Sequence, residues 1–258
     1  KHPDTTPDKA VACDLHPDFY ASRLAREIAA ERKIALFEVQ HHHAHTMAVA
    51  FEYGLEGDVY GLSLDGVGLG TDGRAWGCEA LFCRSNGTFE RLGHLRCNVV
   101  ACLQSASDLD NEFGSRLFDA VSAIAGLCDE QSDEAQAAML LEAAGGDFAD
   151  ASCEEDDFVV TQESGLNVLQ VTALLQRLFA MRLEGRTSQA ISMRFHAAFS
   201  AGMAKLAAEV SLPELPCVFQ AERFSIDLSP RTSVPPGDGA ISFGQCAVAR
   251  QRLDAATH

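Results

Sequence analysis

"IALFEVQHHHAHTMAVAFEYG", Ile34 to Gly54, decides how the chain is read. Ile34–Val39 is an apolar run of strand length, and the residues after it suit a helix that ends near Gly54. Four of the nine histidines fall within five positions at the join: His41, His42, His43 and His45. If Gln40–Phe51 is helical, His41 and His45 sit one turn apart on one face, as two imidazoles sharing one ion must. His42 and His45, three apart, are a poorer pair. The same spacing also suits a solvated helix start, so the pattern alone leaves both readings open.

A metal site needs an oxygen ligand from elsewhere, and two aspartates have similar settings. Asp65 ends an apolar strand in "LSLDGVGLGTDG", and Asp238 lies in "VPPGDGAISFG". Glycines let backbone N–H groups approach phosphate oxygens, and Gly66, Gly68 and Gly70 would form such a loop. Gly237 and Gly239 flank the second aspartate just before a helix, whose N-terminus favours an anion. Each loop alone reads equally well as a tight turn.

Outward from this centre, residues 1–10 read as linker and "VACD" as a short strand. Leu24 and Ile28 share one face of the helix that follows. "DVYGLSLDG" is another strand, and "WGCEALFCRSNGTFERLGHL" a hairpin turning at Asn86-Gly87. Strand–helix–strand order followed by a hairpin gives an α/β sheet of mixed direction. The middle is helical, with Leu117, Val121 and Ile124 on one face, "DEAQAAMLLEAAGG" a second helix, and two more helices from Val168 and Thr187. "CVFQAERF" is a strand candidate, and a closing helix follows the Pro/Gly loop.

Composition sets the bounds. Of 258 residues, 47% are hydrophobic, enough for a real core, and no apolar run is long enough to span a bilayer. The formal charge of −17 argues against direct binding to nucleic acid or to an anionic membrane. Nine cysteines without a C-x-x-C pattern read as reduced, mostly buried thiols, and the expected location is the cytoplasm.

In this order, "VACDLHPDFYAS", "VQHHHAH", "LDGVGLGTDGRAWGCE", "GSRLFDAVSAIAGL", "EAQAAMLLE", "RFHAAF", "VFQ" and "VPPGDGAISFGQ" resemble the C-terminal carbamoyltransferase domain of HypF, from [NiFe]-hydrogenase maturation. That domain is similar to the threonylcarbamoyl-adenosine tRNA-modification ATPases. The resemblance spans about Val11 to Ala249. It implies an α/β fold of the actin/Hsp70/sugar-kinase (ASKHA) type over residues 11–258, with a mixed sheet and an inserted helical region at about 112–210. The opening strand region of the family's domain is missing ahead of "VACDLHP", so the domain is expected to be truncated at its N-terminus.

The resemblance also implies a chemistry. A YrdC-like domain makes carbamoyl-adenylate from ATP and carbamoyl phosphate, and this domain passes the carbamoyl group to the C-terminal cysteine of a HypE-like partner. His41, His45, Asp65 and Asp238 would hold a divalent metal, Zn or Fe. The loops at Gly66, Gly68 and Gly70 and at Gly237 and Gly239 would cradle the nucleotide. His16, Trp76 and Glu79 are further cleft candidates, each with an equally good structural reading, whereas His196 reads as a satisfied core histidine. Glu134 and Gln136 stand in a segment where Ala135 replaces a family glycine. Pro216 and Cys217 replace the family's paired glycines before "VFQ", where a side chain crowds the ligand path. Two alternatives therefore accompany carbamoyl transfer to HypE: a metal-binding but catalytically impaired relic, or transfer to another acceptor.

Overall fold

The computed structural model describes residues 9–96, 115–128, 136–146, 151–212, 214–220 and 241–256. In chain order the first elements are β1 (Ala10–Asp14), α1 (Tyr20–Arg32), β2 (Ala35–Val39), α2 (His41–Glu52) and β3 (Val59–Ser63). Next come β4 (Gly68–Leu69), β5 (Ala75–Trp76), β6 (Glu79–Cys83) and β7 (Phe89–Arg96). Then follow α3 (Ser115–Ile124), α4 (Gln136–Gly145), β8 (Val159–Glu163), β9 (Leu166–Gln170), α5 (Thr172–Leu183) and α6 (Ser188–Val210). Last are β10 (Cys217–Gln220) and α7 (Ile241–Ala255). The chain divides into two compact units, Lys1–Arg91 with Pro213–His258, and Leu92–Leu212.

In the first unit, β1 and β2 pair in parallel with Asp14 opposite Val39, so both strands end at one edge. The connecting α1 buries Ser22, Ala25 and Ala29. This differs from the expected Leu24 and Ile28 face: Leu24 is 39% exposed and Ile28 half-buried. Small residues let this helix lie close to its strands, and that requirement overrides the apolar spacing. Strand β3 is buried throughout and lies between β10, parallel to it, and β6, antiparallel to it. The turn after β6 falls at Asn86-Gly87 as expected. Gly87 takes φ +77° there, and the Asn86 carboxamide oxygen accepts the Thr88 N–H at 3.0 Å.

Helix α2 is the centre of this unit's core. Ala44, Met47 and Ala50 pack with Val39, Val59, Leu81 and Cys83 of the strands and with Ala247 and Val248 of α7. Full burial of a Val, Leu or Met side chain contributes about 1.5–3 kcal/mol, so α2 is held firmly in place. Two glycines permit the close approach. A Cβ on Gly244 of α7 would lie 1.8 Å from the Ala44 carbonyl oxygen, and one on Gly61 of β3 would lie 2.2 Å from Thr46 Cγ2.

In the second unit, the last residues of β7 run parallel to β9, which pairs antiparallel with β8. Sequence reading starts a helix at Val168, but Val168–Gln170 belong to β9 and the helix begins at Thr172. Val168 and Leu169 are buried between strand partners, and so short an apolar run does not by its period separate strand from helix. Leu117, Val121, Leu141, Leu174, Ile191 and Phe195 form the buried helical core. Among the described residues no helix is long and apolar enough to cross a membrane. None of the seven described cysteines is in a disulfide: three are buried, three half-buried and Cys246 is exposed, so they are less uniformly buried than expected.

Candidate metal centre

Helix α2 begins directly after β2, at the edge where β1 also ends. Gln40 caps it: its side-chain oxygen accepts the His43 N–H at 2.9 Å. Its amide nitrogen lies 3.0 Å from His42 Nδ1 and donates to the Leu69 carbonyl at 3.4 Å. One side chain thus ties the helix start to a histidine ring and to the glycine loop. The solvated-helix reading fails on burial, because His41 is 6% exposed and His42, His43 and His45 are 0% exposed.

The structure brings His41, His45 and Asp65 together, with one donor atom from each within 4.8 Å of the others. The His41 and His45 rings stand nearly perpendicular with centroids 4.9 Å apart. His41 Nε2 lies 3.3 Å from Asp65 Oδ2. Donors held about 2.1 Å from a shared ion are at most about 4.2 Å apart, so a shift of less than about 1 Å closes the set. Two imidazoles and one carboxylate are an N/O donor set suited to Zn²⁺ or Fe²⁺, with positions left open for another ligand. The residues therefore fit a divalent metal. Asp238, the fourth expected ligand, lies outside the described residues, as do Gly237, Gly239 and Glu134.

Asp65 stands just beyond β3 and is 9% exposed. Burial raises its carboxyl, but the hydrogen bond from His41 and the neighbouring imidazoles outweigh this and hold it below the usual carboxylate range. Burial pushes His42 down to about 3 despite the Asp65 carboxylate 3.7 Å away. Burial also pushes His43 down to about 3, helped by the positive charge of Arg252. The His43 ring nitrogens have no hydrogen-bond partner among the described residues, and the ring packs on Phe89 at 4.8 Å. Neutral imidazoles are the form that can ligate a metal, but His43 faces the core and not the cluster.

Gly66 is half-buried, while Gly68 and Gly70 are buried. Gly68 and Gly70 have local reasons to be glycine. A Cβ on Gly68 would lie 2.6 Å from His41 Cβ, and one on Gly70 would lie 2.2 Å from Trp76 Nε1. Strands β4 and β5 pair as a small hairpin across this loop.

Residue Asp14 was missed from the sequence. Its Oδ2 lies 2.8 Å from His41 Nδ1, on the side of the ring away from Asp65. It ends β1 opposite Val39, the end of the adjacent parallel strand, the usual place for sites in α/β sheets, and that position was the available signal.

The other candidates are placed as follows. His16 Nδ1 accepts the Asp18 N–H at 3.3 Å, and its ring stacks on Phe19. Trp76 is buried, donates to Asp72 at 3.0 Å and lies under the Arg91 guanidinium. Glu79 is fully buried and binds Arg91 at 2.6 and 2.9 Å. Gln136 opens α4. His196 is half-buried, with its Nδ1 2.9 Å from the Ser192 carbonyl.

Comparison with known proteins agrees with this picture. The family model described as "Carbamoyltransferase, Kae1-like Domain, second subdomain" matches residues 61–107 and 113–218, and that of the "HypF Kae1-like domain" matches residues 4–52. A carbamoyltransferase HypF homolog of Cupriavidus necator is 35% identical, aligned over 79% of this chain and 63% of its own length. Carbamoyltransferase HypF of Rhodobacter capsulatus is 31% identical, over 95% of this chain and 40% of its own length. The chain therefore spans roughly two fifths to three fifths of these relatives. The crystal structure of a full-length HypF in its phosphate- and nucleotide-bound form superposes with a TM-score of 0.72 at 24% identity, covering 96% of this chain and 47% of that one. HypF of T. kodakarensis gives 0.70 at 22%. These likenesses establish the mixed α/β, ASKHA-type fold. With both family models matched along it, the chain belongs to the Kae1-like carbamoyltransferase domain of the HypF family.

Proposed function

We propose that this chain transfers a carbamoyl group in [NiFe]-hydrogenase maturation, from carbamoyl-adenylate to the C-terminal cysteine of a HypE-like partner. A YrdC-like domain would supply the intermediate, made from ATP. The observation that carries the reading is the buried cluster of His41, His45 and Asp65 inside a chain of this family. Asp238 would complete the ligand set. A bound divalent ion supplies a Lewis acid that offsets phosphate charge and polarises the group in transfer.

The chain's own residues do the rest. His41 and His45 would offer ring nitrogens from one helix face, and Asp65 a carboxylate oxygen. Burial of α2 keeps water from their back side. In the loop after Asp65, the Val67 N–H is already taken by Asp65 and the Gly70 N–H by the Arg74 carbonyl. Of the three glycines proposed for this half of the cradle, Gly66, Gly68 and Gly70, the last therefore has its N–H occupied, while Gly68 and Gly70 also admit His41 and Trp76. Gly237 and Gly239 would form the second half of the cradle. The domain, expected over residues 11–258 after a linker at 1–10, includes Ala10 of β1, which pairs with Ala35.

One observation favours a second reading. Pro216 and Cys217 are built into the sheet: the Pro216 carbonyl accepts the Tyr60 N–H at 2.9 Å, and Cys217 pairs opposite Tyr60. If they crowd the nucleotide, the chain is a metal-binding relic. The test supplies the metal-loaded chain with ATP, carbamoyl phosphate, a YrdC-like domain and a HypE-like protein, and follows the acceptor by mass spectrometry. Addition of one carbamoyl group to the terminal cysteine, dependent on this chain, supports transfer. An unmodified acceptor beside an unmodified metal content supports the relic.

A further inference from the structure

We infer that Asp14 is a positioning residue of the metal centre: its carboxylate holds the His41 ring so that Nε2, rather than Nδ1, is presented beside Asp65. This rests on the proposed role of His41, His45 and Asp65 as ligands. Asp14 closes β1 opposite Val39, two residues before His41 on the neighbouring strand. That register brings its Oδ2 to 2.8 Å from His41 Nδ1, with both side chains 7% exposed. Its other oxygen accepts the His16 N–H at 2.8 Å, and its backbone carbonyl accepts the buried Ser22 hydroxyl at 3.1 Å. The carboxylate is thus fixed from its own side before it meets the ring.

On the far side, His41 Nε2 faces Asp65 Oδ2 at 3.3 Å. His41 therefore has a carboxylate at each nitrogen, and of the two only Asp65 shares with His41 and His45 a set of donor atoms within 4.8 Å of one another. A carboxylate that accepts from the distal N–H of a ligating imidazole fixes the ring's rotation and makes the other nitrogen a better donor. Loss of such a partner lowers metal affinity by roughly 10–100-fold. A purely structural role, knitting the β1–α1 turn, would leave metal affinity untouched once the chain is folded.

The test measures Zn²⁺ affinity by chelator competition, and the visible spectrum of the Co²⁺-loaded chain, for wild type, Asp14→Ala, Asp14→Asn and His45→Ala. Asp14→Ala should lose roughly 10–100-fold in affinity and shift the Co²⁺ bands. Asp14→Asn, whose amide oxygen still accepts from Nδ1–H, should show an intermediate, few-fold loss. Wild-type affinity and spectrum in Asp14→Ala, while His45→Ala loses the metal, overturns the positioning role. Retention of metal by His45→Ala overturns the ligand assignment instead, and the inference with it. Should Asp14→Ala fail to fold, Asp14→Asn decides, and unchanged affinity there overturns the role.

Discussion

Replacing Gly244 by alanine tests whether the α2–α7 contact holds the metal ligands in place. The new Cβ would sit 1.8 Å from the Ala44 carbonyl oxygen and 2.6 Å from its carbonyl carbon. Non-bonded carbons prefer about 3.5 Å or more, so the helices must separate by about 1 Å or more. The obstacle is backbone, so no rotamer change relieves it. Ala44 lies between His43 and His45, and a displacement there moves a proposed ligand directly. Overpacking of this kind costs about 1–3 kcal/mol. At an exposed helix position the same change would instead stabilise by about 1 kcal/mol, because alanine is the better helix former. The sign therefore discriminates. Urea unfolding of the metal-free variant should show a loss of about 2 kcal/mol, and Zn²⁺ affinity should fall by about tenfold or more. An unchanged or raised unfolding midpoint together with wild-type affinity would refute the packing argument.

Two further outcomes follow from buried charge. Glu79→Ala should cost about 3–5 kcal/mol in urea unfolding, because it removes the carboxylate that grips the Arg91 guanidinium with both oxygens; a loss under about 1 kcal/mol would show the pair to be solvated. His43, held near 3 in the folded chain, returns to about 6.5 when unfolded, so the unfolded chain binds more protons between those values. Its contribution is intact above about pH 6.5 and is lost as the pH falls. In His43→Leu the fall in stability of the metal-free chain, from roughly pH 5.5 to 4, should be shallower by about 1.4 kcal/mol per pH unit. Parallel slopes in the two proteins would mean that His43 does not titrate on unfolding.

The histidine cluster was legible because its geometry is local. One turn of helix aligns His41 and His45 whatever surrounds them, and a strand ending in Asp-Gly is visible as a pattern at Asp65. Their burial was not legible, since α2 is enclosed not only by the neighbouring β3 but by β10 and α7, which lie far from it in sequence. Asp14 was missed for the same reason. Its approach to His41 depends on the parallel register that sets Asp14 opposite Val39, across an intervening helix. The α1 face was misread because Leu24 and Ile28 carry the apolar signal while the small Ala25 and Ala29 make the contact. Val168–Gln170 carried no period long enough to separate strand from helix, and their pairing with β7 and β8 decided the matter. Gly68 and Gly70 read as phosphate-loop glycines, yet the side chains they admit, His41 and Trp76, are enough to require them.

The most direct test of the central claim is elemental analysis of the full chain after loading with Zn²⁺ or Fe²⁺ and removal of free ion. Wild type should hold one ion per chain. His45→Ala should hold almost none, while His196→Ala, changed outside the centre, should match wild type. Full retention of the ion by His45→Ala, with the variant folded, would contradict the account.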